Sequence, residues 1–156
     1  MTLESLRDDD RRYIIVGAGA IGGTLGGVLA RAGIPAVLVA RGRHAEILSR
    51  DGLTLTTPDG TFHTPVSAAS RPEDVRLTRH DVLVFTTKTQ QLDSALQEWV
   101  DQPVYGLDGV VGTAGELLPA MTALNGVAAE EKRCATSGGC SASVSGCRPC
   151  ISSPAK

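Results

Sequence analysis

Gly17, Gly19 and Gly22 stand in G-x-G-x-x-G spacing, directly after the apolar run Tyr13-Ile14-Ile15-Val16 and directly before a stretch of helical periodicity. That arrangement can bind a phosphate. A buried strand ends in a tight turn at Gly17, Gly19 leaves room for a pyrophosphate against the main chain, and Gly22 lets the helix lie close to the strand. With Ala18, Ala20 and Ile21, these glycines form a candidate pyrophosphate cradle for a dinucleotide. About twenty residues further on, dinucleotide folds place an acidic residue for the adenosine ribose. Here that place holds Ala40-Arg41-Gly42-Arg43, with no carboxylate. Arg41 at a strand end accepts a 2′-phosphate through charge-assisted, bidentate hydrogen bonds, and Arg43 adds a second positive charge. The cofactor is therefore read as NADP(H) rather than NAD(H). Lys88 offers a cation to a phosphate or carboxylate, and Asn125 offers both a donor and an acceptor. Taken singly, Lys88 equally reads as a solvated strand-end lysine and Asn125-Gly126 as a turn.

The elements that must position these groups follow from periodicity. Tyr13 to Val16 reads as a strand. Ile21 to Ala32 reads as a helix, with Ile21, Leu25, Val28 and Leu29 on one face and Gly33 as its C-terminal cap. The glycines inside this helix lower its intrinsic helicity by about 1 kcal/mol each, which makes sense where close packing or a ligand needs the room. Pro35 to Ala40 is an unbroken apolar run, as expected of a buried parallel strand. Strand, helix and strand together make one βαβ unit and call for a parallel sheet. Arg43 to Arg50 reads as a short helix. Leu53 to Thr57 and Thr61 to Val66 read as a hairpin about Pro58-Asp59-Gly60. Ser67 to Arg79 reads as a loop with a short helical turn, Asp81 to Phe85 as a buried strand, and Thr87 to Val100 as a helix. Gln102 to Gly115 has no clear assignment, and Leu117 to Leu124 reads as a further strand.

At 156 residues the chain is long enough for one domain with a real core. With 42% apolar and 21% charged residues, its composition is that of a soluble globular protein. A net charge of −2 and 3% aromatics argue against nucleic acid and against an anionic membrane as partners. Met1 to Arg12 is a polar leader without the apolar core of a secretory signal, so a cytoplasmic location is expected. Ile14 to Ala40 is nearly uncharged, and Gly22/Gly26 and Gly23/Gly27 have the small-xxx-small spacing of membrane helices. Arg31 and the punctuation Gly33-Ile34-Pro35 break that stretch into pieces too short to span.

Phe85-Thr86-Thr87-Lys88-Thr89-Gln90-Gln91 and Leu124-Asn125-Gly126-Val127 follow the glycine motif and Arg41 in order. Together these anchors resemble the N-terminal domain of ketopantoate reductases, also called 2-dehydropantoate 2-reductases, over roughly Tyr13 to Lys132. The resemblance implies an α/β, Rossmann-type, doubly wound parallel sheet and NADPH-dependent reduction of a 2-keto acid to pantoate, on the route to coenzyme A. It implies the pyrophosphate at Gly17, Ala18, Gly19, Ala20, Ile21 and Gly22, the 2′-phosphate at Arg41, and NADP contacts from Lys88 and Gln91. Asn125 is implied beside the nicotinamide and the substrate. Family members carry a helical C-terminal domain that supplies a general-acid lysine and a substrate-binding glutamate. Nothing after Lys132 offers either, so the sheet is expected to be incomplete, cofactor binding weak at best, and reductase activity absent or very low. Exposed apolar sheet edge would favour self-association.

From Cys134 the character changes. Cys134 to Lys156 holds all four cysteines, Cys134, Cys140, Cys147 and Cys150, with only Val144 and Ile151 as large aliphatics, so a disordered tail is expected beyond a folded unit of 13–133. Cys147-Arg148-Pro149-Cys150 is a C-x-x-C, but its partners are not spaced as a zinc knuckle, so no metal site is assigned. Regrouping the codons from Cys134 permits an apolar translation that resembles the family's continuation, and the tail is read as a frameshift product. Two other functions stay open: a relative acting on another 2-keto acid, and a non-catalytic nucleotide-binding or cysteine redox module.

Overall fold

The computed structural model describes residues 11–58 and 60–123. Asn125, the cysteines and the tail lie outside them. Five strands form the main sheet: β1 (Arg12–Val16), β2 (Ala36–Val39), β5 (Ser67–Ala69), β7 (Asp81–Phe85) and β10 (Ala120–Thr122), in the order β10-β7-β1-β2-β5. Every pair within it is parallel. Strand side chains alternate between faces, and the core divides accordingly. Ile14, Val16, Leu83 and Phe85 point to one side, where α3 (Thr89–Val100) packs Leu92, Ala95, Leu96 and Trp99 against them. Ile15, Leu38, Val82 and Val84 point to the other, which is covered by α1 (Ala20–Arg31) and α2 (Arg43–Asp51). A parallel sheet with helices on both faces, its order running outward from β1 in both directions, is a Rossmann-type doubly wound fold.

The structure corrects three expectations. Ile21 and Val28 are 47% and 50% exposed, so they do not share the buried face of α1. Its fully buried positions are all glycine, while Leu25 and Leu29 pack partly buried against the core. Gly22 and Gly26 lie on β1 and β2, where an added Cβ would meet the Gly17 carbonyl and, at 2.6 Å, Leu38 Cδ2. Gly23 and Gly27 lie under a hairpin of β3 (Leu53–Thr57) and β4 (Gly60–Thr64), where a Cβ at Gly27 would come 2.8 Å from Leu53 Cδ2. The two glycine pairs thus seat one helix between two layers, and Arg31 closes the far end by stacking 3.7 Å from the Phe62 ring centroid.

Ser67–Ala69 is a sheet strand rather than loop, paired among the described residues only with β2. After it come a 3₁₀ turn at Pro72–Asp74 and the short β6 (Leu77–Thr78). The unassigned stretch holds β8 (Pro103–Gly106) and β9 (Gly109–Thr113), which join β6 in a three-stranded sheet. The expected strand from Leu117 is delayed by α4 (Ala114–Leu117), so β10 begins at Ala120.

At the start of α4 the Glu116 carboxylate accepts the Thr113 backbone N–H at 3.1 Å and the Thr113 hydroxyl at 3.0 Å. These bonds, the backbone one foremost, hold the Glu116 carboxyl below its usual range. A lowered folded value means the cap's contribution is full above the ordinary glutamate pKa and fades as pH falls through the lowered one. Glu116→Gln keeps an acceptor at this position. Its urea midpoint is expected to lie below wild type at neutral pH, where the charged cap contributes, and to converge with wild type on acidification.

Candidate functional site: a cleft at the carboxyl edge of the sheet

Where β1 gives way to α1, Gly17 adopts φ 107°, a conformation that L side chains rarely take. A Cβ there would also lie 3.1 Å from Thr87 Cγ2 and 3.2 Å from the Thr87 backbone nitrogen. The turn is tied down from both neighbouring strands. The amides of Gly17 and Ala18 donate to the Val39 carbonyl at 3.0 and 3.1 Å, while the Thr86 hydroxyl donates to the Gly17 carbonyl at 2.6 Å. The amides of Gly17 and Ala18 are therefore committed to the scaffold. The orphan donors of the α1 N-terminus fall instead at Gly19, Ala20 and Ile21, all three exposed. Gly19 is the N-cap and has open space where a Cβ would stand. An anion approaching this point meets bare N–H groups and the positive end of the helix dipole.

The turn forms the floor of a cleft of about 260 Å³, whose lining also includes Arg41, His44, Thr87, Gln91 and Glu98. It opens beside the carboxyl ends of β1, β2 and β7, where doubly wound folds hold their ligands. Gln91, Ala95 and Glu98 reach it from α3 at helical spacing. Arg41, just past β2, is largely exposed, and its guanidinium lies 3.5 Å from the Glu98 carboxylate. The Thr87 hydroxyl oxygen is buried with no hydrogen-bond partner among the described residues. An unpaired buried hydroxyl on a cleft wall is a group that a polar ligand can satisfy.

Five of the sequence-derived candidates therefore converge: Gly17, Ala18, Gly19, Arg41 and Gln91. Gly22 lies beneath the cleft and acts by letting α1 close on Gly17. Ala20 and Ile21 open the helix at its rim. Lys88 is the exposed N-cap of α3 and does not line the cleft. Arg43, the expected second cation, does not line it either, and His44 takes that place. The roles of Thr86, Thr87 and Glu98 are not legible in the sequence: the threonines stand there only within the Phe85–Gln91 anchor, and a helix-surface glutamate carries no local pattern. Only the tertiary fold brings them to the glycine turn.

The fold is that of a Rossmann-type domain, with a cleft at the carboxyl edge of its parallel sheet. A family model described as ketopantoate reductase PanE/ApbA matches residues 13–139. The chain belongs to the ketopantoate reductase family, whose members are NAD(P)-dependent oxidoreductases. A 2-dehydropantoate 2-reductase from Pyrococcus horikoshii is 33% identical over 90 residues, covering 58% of this chain and 29% of that protein. A PanE/ApbA family ketopantoate reductase from Ralstonia eutropha JMP134 superposes with a TM-score of 0.63 at 28% identity, over 79% of this chain and 37% of that one. A D-mandelate dehydrogenase solved with NADH and anilino(oxo)acetate shares the fold, with a TM-score of 0.63 at 20% identity over 80% of this chain and 37% of that one. The chain thus spans about a third of the length of these relatives. No helix among the described residues is long and apolar enough to cross a membrane.

Proposed function

We propose that this chain forms the NADP(H)-binding domain of a cytoplasmic reductase acting on a small 2-keto acid, with ketopantoate as the substrate that family membership favours. The observation that carries the reading is Arg41, which lines the same cleft as the Gly17–Gly19 turn. The residues present suit the cofactor. The orphan amides of Gly19, Ala20 and Ile21 suit a pyrophosphate, Arg41 suits a 2′-phosphate, and the unpaired Thr87 hydroxyl and Gln91 offer polar contacts between them. Bound NADPH would supply a hydride. This chain's residues would hold and orient it. By the resemblance alone, Asn125 is assigned to the nicotinamide and substrate side, and Lys88 to an NADP contact near the substrate. Proton delivery to the substrate carbonyl belongs, on the same resemblance, to a helical domain beyond the matched share.

Titration with NADPH and NADH tests the assignment. Arg41→Ala is expected to weaken NADPH by about 10- to 100-fold, the worth of a charge-assisted phosphate contact, and to leave NADH within about twofold of wild type. Equal loss of both nucleotides, or of neither, would remove the 2′-phosphate from Arg41.

A further inference from the structure

Glu98 stands opposite Arg41 in the cleft. Its Oε1 lies 3.5 Å from the guanidinium, and the two side chains are 50% and 72% exposed. An exposed pair of this kind contributes little to stability, because solvent screens it and two long side chains lose freedom. Its position matters more than its strength. Glu98 follows Gln91 and Ala95 on the face of α3 that lines the cleft, so its carboxylate is held where the adenosine end of a dinucleotide would lie. A 2′-phosphate arriving at Arg41 meets a like charge within a few ångströms and must displace the carboxylate from its partner. A 2′-hydroxyl does neither. It is a donor, and a carboxylate accepts it, which is the chemistry that dinucleotide folds otherwise place at the end of the second strand.

We propose that Glu98 is a specificity-determining residue of this cleft: its carboxylate competes with a 2′-phosphate for Arg41 and narrows the preference for NADP(H) over NAD(H). This rests on the cofactor reading above. The guanidinium just past β2 and the carboxylate from α3 oppose one another, and the chain retains an acidic determinant supplied by a different element.

Affinities of wild type, Glu98→Gln and Glu98→Lys for NADPH and NADH, measured by fluorescence titration at low and high salt, decide it. Thermal melts verify that each variant is folded. Glu98→Gln is expected to tighten NADPH about tenfold at low salt, equivalent to about 1.4 kcal/mol, while NADH changes by less than about twofold. Glu98→Lys is expected to extend the same shift, and added salt to compress it as exposed charges are screened. An unchanged ratio of the two affinities in both folded variants would overturn the proposal. Failure of wild type and both variants to bind either nucleotide would overturn the cofactor reading, and this proposal with it.

Discussion

Gly22→Ala is expected to unfold the Rossmann unit at the point where α1 meets β1, with a loss of about 3 kcal/mol or more in urea denaturation. The added Cβ would collide with the Gly17 carbonyl and come 2.5 Å from the Thr86 hydroxyl, and those two atoms are themselves hydrogen-bonded at 2.6 Å. A side chain can turn aside, but a backbone carbonyl pinned by a neighbouring strand cannot, so α1 must lift. At Gly26→Ala, by contrast, the nearest atoms the methyl meets belong to the Leu38 side chain, and the expected cost is about 1–2 kcal/mol. Gly19→Ala meets nothing. It is expected to leave stability within about 1 kcal/mol while weakening NADPH binding, because its methyl would take up the open space at the exposed helix N-terminus. The order Gly22, Gly26, Gly19 in stability is the signature of buried helix glycines that serve packing and of an exposed turn glycine, Gly19, that serves the ligand. Equal costs at all three positions would contradict it.

Asp81→Ala is expected to cost about 3–5 kcal/mol. Asp81 begins β7 and is 1% exposed, yet it carries no unmet charge. Arg12 donates to both carboxylate oxygens at 2.7 Å, and the Thr78 amide donates to one of them at 2.7 Å. Arg12 also reaches the Arg76 carbonyl at 2.7 Å, and its guanidinium is held more firmly protonated by the Asp81 hydrogen bonds. This fork ties β1 and β7 to the loop carrying β6, at the end of the sheet opposite the cleft. Removing the aspartate strands the Thr78 amide and a half-buried cation; removing Arg12 strands a buried carboxylate. A double-mutant cycle with Arg12→Ala is expected to show strong coupling, read as urea midpoints. Because the pair sits away from the cleft, cofactor affinity of whatever fraction remains folded should be unchanged.

The parts of the fold that the sequence makes legible are those whose pattern is local and strong. β1, β2 and β7 are apolar runs buried at the sheet centre, and α3 has Leu92, Ala95, Leu96 and Trp99 at helical spacing, so each announces itself. The α1 helix misleads for a physical reason. Its fully buried positions are all glycine, so hydrophobic periodicity points to Ile21 and Val28, which face solvent. Ser67–Ala69 is too short and too small in side chain to register, and it becomes a strand only because β2 offers an unpaired edge. The β6–β8–β9 sheet depends on pairing between segments far apart in sequence, which no local window reveals. The candidate site divides in the same way. Glycine spacing and the missing carboxylate at Arg41 can be read directly, whereas Glu98 and Thr87 enter the cleft only through the packing of β7 and α3. The Arg41–Glu98 contact qualifies the sequence argument most, since an acidic group absent from the end of β2 is present across the cleft.

The central claim, that the cleft above the Gly17–Gly19 turn holds the dinucleotide, is tested most directly by following backbone amide resonances of the 15N-labelled chain during NADPH titration. Saturable shifts are expected at Gly19, Ala20 and Ile21, at Arg41, and at Thr87 and Gln91. Substituting NADH should diminish the Arg41 response and preserve those at the α1 N-terminus. Shifts absent from the glycine turn, or centred on the separate groove between α2 and β5 lined by Glu46, Ser49 and Asp74, would contradict the account.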